Sequence, residues 1–285
     1  MILITGANGQ LGNDFKKLFD SLNVNYISTD LDDLDITNEK SVDEFFKNNK
    51  NITIIINCAA YNDVDKAEEE VEKCYSINTK APHNLSKKAK EIGAIFVTYS
   101  TDFIFYSDKI RNPFETGDIP TPPSHYSKSK LEGENLVLSE YDNTFVIRTS
   151  WVFGIANKNF IKQVIEWSRL KNELNIVDDQ ISSPTYSKDL AYYSWNIIKT
   201  GVFGVYHISN NGECSKYEQA KYILKRIGWK GILKKSKTSD FKLMAKRSNY
   251  SKLSLTKTES LLKEKIPTWE DAIDRYIKEI EQVNL

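Results

Sequence analysis

Tyr126 and Lys130 fall in the run Tyr126-Ser127-Lys128-Ser129-Lys130, a Y-x-x-x-K spacing. On a helix, positions i and i+4 share a face, so both side chains can point into one cleft. The pairing has a chemical use. Reducing a ketone needs a hydride at carbon and a proton at oxygen. A free phenol has a pKa of about 10, too high for easy proton exchange near neutrality. A nearby ammonium favours the phenolate and lowers that pKa. Ser100-Thr101-Asp102 closes an apolar run at Ile95 to Tyr99. The Thr101 hydroxyl there could hydrogen-bond the same carbonyl oxygen as charge develops on it.

A second constellation lies at the start of the chain. Thr5-Gly6-Ala7-Asn8-Gly9-Gln10-Leu11-Gly12 spaces its glycines as G-x-x-G-x-x-G. Gly6 permits a tight turn, Gly9 lets backbone approach a pyrophosphate, and Gly12 lets a helix pack close to a strand. The helix start at Gln10 and Leu11 then offers free N–H groups to an anion. Asp30 ends the next apolar run, where a carboxylate can accept from ribose hydroxyls. A glycine triplet alone is weak evidence. Strand, triplet, helix and acid in this order point to a dinucleotide.

These residues need a scaffold. Strands are expected at Ile2 to Thr5, Tyr26 to Thr29, Ile52 to Cys58, Ile95 to Tyr99 and Phe145 to Arg148. Helices are expected at Gln10 to Asn23, Ser41 to Lys50, Glu69 to Ile92 and Tyr126 to Ser139. The alternation predicts an α/β fold, a doubly wound parallel sheet of Rossmann type with right-handed crossovers. Open sheets of this kind hold ligands at the C-terminal ends of their strands, where Ser100 to Asp102 would lie. After Thr149 the regularity fades. Phe160 to Leu170, Asp189 to Lys199, Lys216 to Ile227 and Trp269 to Gln282 read as helices, with a loop-rich span between the last two. Residues 1–150 are therefore expected to bind the dinucleotide. Residues 151–285 are expected to form a smaller substrate-binding lobe, with a return to the sheet near 203–210.

Composition narrows the function classes. Lys plus Arg and Asp plus Glu are both 39, so the net charge is zero, whereas nucleic-acid binders carry a basic excess. The Lys234, Lys235, Lys237 cluster reads as solvated surface. Three cysteines without a C-x-x-C spacing, and three histidines without ligand spacing, argue for a reducing compartment and no metal site. No apolar run approaches the roughly 20 residues of a membrane span. No signal-peptide pattern precedes the first strand. A cytoplasmic location is expected, with a small-molecule substrate and no nucleic-acid or membrane partner. A second copy of the chain, as a homodimer, is the one protein partner this reading admits.

Taken together, the motifs resemble the extended short-chain dehydrogenases, and more narrowly the dTDP-4-dehydrorhamnose reductases. The resemblance runs through nearly the whole chain. Its more specific parts are Val64-Asp65-Lys66-Ala67-Glu68 and Arg148-Thr149-Ser150-Trp151-Val152-Phe153-Gly154. It also takes in Asn57 to Tyr61, Asn159-Phe160 and Ser183-Pro184-Thr185. The resemblance implies NADH or NADPH as cofactor and a nucleotide-sugar as substrate. It puts Asp35 and Ile36 near the adenine, and Ala59, Ala60 and Tyr61 along the cofactor. Thr101, Tyr126 and Lys130 become the catalytic set, and Tyr126 and Lys130 also meet the cofactor. Asn62, Val64, Thr101, Asp102, Phe103 and Trp151 would face the sugar-nucleotide. The implied reaction is reduction of the C4 ketone of dTDP-4-dehydro-L-rhamnose, feeding surface polysaccharide synthesis.

Three positions depart from the family's pattern. Phe103 stands where the family carries tyrosine, Asn62 where it often carries threonine, and Lys246-Arg247-Ser248 lacks the usual proline. They bear on the sugar rather than on the proton chemistry. The alternatives are a 4-ketoreductase or epimerase on another nucleotide-sugar, and a regulatory subunit that binds dinucleotide without turnover.

Overall fold

The computed structural model describes residues 1–109 and 112–283. The first half alternates as the pattern requires. It runs β1 (Ile2–Thr5), α1 (Gln10–Ser21), β2 (Tyr26–Thr29), α2 (Glu39–Asn48), β3 (Ile54–Asn57), α3 (Val71–Tyr75), α4 (Ala81–Ile92), β4 (Ile95–Thr101), α5 (His125–Glu140) and β5 (Thr144–Thr149). The second half adds β6 (Val152–Phe153), α6 (Phe160–Leu170), β7 (Glu173–Val177), β8 (Ile181–Ser182), β9 (Thr185–Tyr186), α7 (Ser187–Thr200) and β10 (Gly204–His207). It ends with β11 (Cys214–Ser215), α8 (Lys216–Arg226), β12 (Ile232–Ser236), α9 (Thr256–Leu262) and α10 (Trp269–Val283).

Six strands form one parallel sheet in the order β10-β5-β4-β3-β1-β2. Its two faces follow the strand period of two. Ile2, Ile4, Ile56, Val97, Phe145 and Ile147 face α1 and α7. Leu3, Ile55, Phe96 and Val146 face α2, α4 and α5. On the first face, Phe15 and Phe19 of α1 pack with Tyr193, Ile197 and Ile198 of α7. A separate core joins α6, α8 and α10 through Ile161, Val164, Ile223, Ile273 and Tyr276, with Leu174 and Ile176 of β7.

Three local differences from the sequence reading have physical causes. The helix expected over Glu69 to Ile92 is divided: a π turn at Ser76–Lys80 separates α3 from α4. There Asn78 bonds outward, accepting from Tyr61 N at 2.9 Å and donating to Ser129 Oγ at 3.2 Å. Strand β4 runs on to Thr101 because Ser100 and Thr101 still pair with Arg148 and Thr149 of β5. The span read as loop-rich contains β12 and α9. Strand β12 was masked by its lysines; it pairs in parallel with β7, and Lys234 meets Glu173 at 2.7 Å.

Candidate active site

The glycine loop is built without side-chain help. Gly6 has φ +64°, and a Cβ there would lie 2.6 Å from Ala59 N. A Cβ on Gly12 would lie 2.5 Å from the Gly6 carbonyl oxygen. Helix α1 starts at Gly9 with no side-chain cap, so its first N–H groups remain open to an anion. Asp30 accepts from Asn8 N and from Leu31 N, both at 2.9 Å, which fixes the carboxylate beside the loop. The donor set and the close backbone approach suit a dinucleotide pyrophosphate and ribose.

Helix α5 positions the proposed acid. Ser124 caps it in a reciprocal box with Ser127, accepting from Ser127 N at 3.2 Å while Ser124 N donates to Ser127 Oγ at 3.0 Å. Gly133 lies against the Asn78 carbonyl, so α5 sits tight on the π turn. Tyr126 and Lys130 thereby face the C-terminal end of β4. Lys130 Nζ donates to Tyr99 O at 2.6 Å. Burial lowers its pKa to about 8, while Glu134 pulls the other way. Burial also pushes the Tyr126 phenol well up, opposed by a hydrogen bond with Thr101. The opposing group is therefore Thr101, where the sequence pointed to Lys130. Tyr126 rests as the neutral acid.

Two adjoining cavities, of about 480 and 580 Å³, form one cleft along the strand ends. Gly9, Cys58, Ala60, Asn62 and Asn157 line both. Gln10, Leu11, Thr101, Tyr126, Lys130 and Trp151 line the first. Gly6, Asp30, Asp35, Ile36 and Ala59 line the second. Most of the expected residues are thus brought together.

Five expected residues stand off the wall of the cleft. Gly12 packs under the loop, as its role in helix packing requires. Tyr61 is buried, and its hydroxyl donates to Glu70 at 3.1 Å. Val64 and Phe103 pack with Tyr61 and Tyr126 in a small apolar cluster, and the Phe103 ring meets Tyr126 edge-on at 6.2 Å. Phe103 does not share a face with Thr101 along a continued strand, because a 3₁₀ turn at Asp102–Ile104 follows β4. Asp102 points inward. It accepts from Ser182 Oγ at 2.9 Å, Ser251 Oγ at 2.5 Å and Thr101 Oγ1 at 3.3 Å. Burial raises its carboxyl to about 6 against those bonds.

Other wall residues escaped the sequence reading. Asn157 and Lys158 come from the loop before α6 and fold over the glycine loop. Asn157 Nδ2 donates to Asn8 O at 3.3 Å, and Gln10 Nε2 to Lys158 O at 3.2 Å. Their one sequence signal was their place just before Asn159-Phe160. Lys73 of α3 and Ile77 of the π turn line the second cavity from a stretch that carries no motif. Trp151 lies on the wall with φ +43°, a left-handed backbone rare for a bulky residue.

A parallel sheet, an open-ended glycine loop and a Tyr–Lys pair beside a strand-end threonine define an oxidoreductase of the short-chain dehydrogenase class that uses a nicotinamide dinucleotide. Comparison with known proteins narrows the class. The family model for the RmlD substrate binding domain matches residues 1–282. The spore coat polysaccharide biosynthesis protein SpsK of Bacillus subtilis is 33% identical, over 98% of this chain and 97% of that one. A dTDP-4-dehydrorhamnose reductase structure from Clostridium acetobutylicum is 37% identical, with a TM-score of 0.94 over 98% of this chain and 99% of that one. One from Bacillus anthracis in complex with NADP is 34% identical, with a TM-score of 0.94 over 98% of each chain. The chain belongs to the dTDP-4-dehydrorhamnose reductase family.

Among the described residues, no helix is long and apolar enough to cross a membrane, and no cluster of metal-ligating side chains occurs.

Proposed function

We propose that this enzyme reduces the C4 keto group of dTDP-4-dehydro-L-rhamnose to give dTDP-L-rhamnose, a precursor for surface polysaccharide. The observation that carries the reading is one cleft holding Thr101, Tyr126 and Lys130 at one end and the open glycine loop at the other. The side built by residues 1–150 takes the dinucleotide, and residues after 150 take most of the nucleotide-sugar. When bound, the dinucleotide supplies the hydride.

The chain's own groups do the rest. Tyr126, neutral in its buried setting, donates its proton to the oxygen at C4. Thr101 is held by Phe103 N, which donates to its Oγ1 at 3.1 Å, and its hydroxyl hydrogen-bonds the same oxygen. Lys130, anchored on Tyr99 O, keeps a positive charge beside the phenolate that proton transfer leaves behind. Asn157 and Lys158 cover the glycine loop and help exclude water.

The test is to follow oxidation of NADH and NADPH with dTDP-4-dehydro-L-rhamnose and identify the sugar by NMR. Turnover of another nucleoside-diphosphate keto sugar, with none of this one, would overturn the substrate assignment. No turnover with any would favour the regulatory alternative. Asp30 beside the loop opposes a 2′-phosphate, and Lys73 in the same cavity is paired with Glu70 at 3.1 Å. NADH is therefore expected to serve at least as well as NADPH. A kcat/KM favouring NADPH more than tenfold would show that Lys73 or another cation overrides Asp30.

A further inference from the structure

Lys216 is the first residue of α8, in the lobe that follows the sheet. Its Nζ sits 3.4 Å from the centre of the Trp151 ring and 4.6 Å from that of Phe160. Trp151 lines the cleft beside Tyr126 and Lys130. Two aromatic faces thus hold an ammonium against a residue of the cleft wall. Of the other cations at or near the cleft, Lys130 is anchored on Tyr99 O, Lys158 lines the wall beside the glycine loop, and two are paired with carboxylates. Arg247 forms a forked pair with Asp65 at 2.6 and 3.0 Å, and Lys73 meets Glu70. Among the described residues, Lys216 has no ion pair and no side-chain hydrogen bond.

That placement is costly for a cation. Lysine ammonium is strongly hydrated, and ring faces return only part of its lost hydration. The start of a helix adds an unfavourable dipole, which Glu218 offsets only by binding Ser215 N at 2.7 Å. The titratable and charged groups that face Lys216 come from several elements. They are Asp102 after β4, Cys214 on β11 and Arg247 in the loop before α9. Loss of water lowers its pKa to about 7, reinforced by Arg247 and opposed by Cys214 and Asp102. An anion arriving at Trp151 would hold the charge in place.

We propose that Lys216 binds the diphosphate of the nucleotide-sugar, with Trp151 and Phe160 as the aromatic walls that aim its ammonium. The inference rests on the functional reading above, which supplies a substrate carrying a diphosphate. It assigns the substrate's anion to a side chain outside the motifs that announce the site.

The test is isothermal titration of dTDP-glucose, whose diphosphate diester does not titrate near neutrality, and separately of NADH. It uses the full-length wild type, Lys216→Met and Lys216→Arg. Charge-assisted hydrogen bonds lead us to expect about ten- to hundredfold weaker dTDP-glucose binding for Lys216→Met. NADH binding should stay within about twofold, and Lys216→Arg should recover most of the loss. Wild-type binding of dTDP-glucose with Lys216→Met within twofold of it overturns this inference alone. Equal losses for dTDP-glucose and NADH overturn it by showing a structural role. An arginine variant as weak as the methionine variant overturns the claim that charge is what matters. A wild type that binds no dTDP-sugar overturns the functional reading and this inference together.

Discussion

The two ends of the cleft are made from different materials. The end proposed for the dinucleotide is largely backbone, with Asp30 beside it. Its turn depends on glycines whose missing Cβ atoms leave room for main chain, and its anion site is the uncapped start of α1. The end proposed for the sugar is backed by side chains tied across long stretches of sequence. Asp65 holds Arg247, Asp102 holds Ser182 and Ser251, and Asp179 accepts from Thr238 N at 3.0 Å and from its hydroxyl at 2.7 Å. Backbone recognition suits a ligand whose pyrophosphate is common to many enzymes. Side-chain recognition can be changed one residue at a time; of the departures from the family pattern, Asn62 lines both cavities and Phe103 packs behind the wall.

The seam between the two regions holds the largest single effect. Tyr126→Phe removes only the proton donor, so kcat should fall about 10²–10⁴-fold. Cofactor affinity, measured by fluorescence titration, should be unchanged. A loss under tenfold would remove Tyr126 as the acid and leave the two regions without a shared catalytic group.

Asp102→Asn probes the side-chain end. The folded carboxyl keeps its proton up to about pH 6, above its ordinary value of 3.8. Its contribution to stability is therefore full below about pH 4 and lost as pH rises through about 6. The difference is on the order of 3 kcal/mol. Asparagine has no proton to lose there. Urea unfolding at pH 4, 5, 6 and 7 should show wild type losing stability relative to the variant. Parallel curves would mean that Asp102 is not the titrating group.

Gly12→Ala probes the backbone end. The new Cβ would meet the Gly6 carbonyl and Ala7 Cα, at 2.5 and 2.7 Å, so backbone must move. Overpacking of this kind costs about 1–3 kcal/mol. The comparison predicts weakened NADH binding with dTDP-glucose binding retained. Equal losses of both would show the two ends to be one unit.

The smallest effect belongs to Phe103→Tyr. A neutral hydrogen bond is worth about 0.5–1.5 kcal/mol, or roughly two- to twelvefold in kcat/KM. Because Phe103 packs edge-on to Tyr126 and away from the wall, a change no larger than that range is expected, measured together with Tm. A large activity loss at unchanged Tm would point to a pocket shaped for another sugar.

The same division explains what could be read from sequence. The glycine loop, Tyr126 with Lys130, and the alternating strands are local patterns, and each reads within a few residues. Asp102 reads as a site residue for the same local reason, beside Thr101. Its partners Ser182 and Ser251 lie 80 and 149 positions away, and no spacing announces them. Strand β12 hid behind a lysine cluster that is indeed largely exposed. Its lysines decorate an edge strand, where they pair with Glu173 and Asp178 and discourage further strand addition. Lys216 gave no signal at all, since a lysine opening a helix has no distinctive pattern.

Helix α7 covers the sheet face that carries Phe145 and Ile147, yet it is encoded some way after β5. On the ribosome, the five strands β1 to β5 emerge before their cover does. At about 5–20 residues per second, the roughly 50 residues from β5 to the end of α7 take a few seconds to synthesise. During that interval Phe15, Phe19 and Phe145 lack their α7 neighbours, although Phe15 and Phe19 already meet each other, Tyr99 and Tyr26. The nascent chain passes through a stage in which α1 alone covers that apolar face, and that stage is where chaperone demand should concentrate.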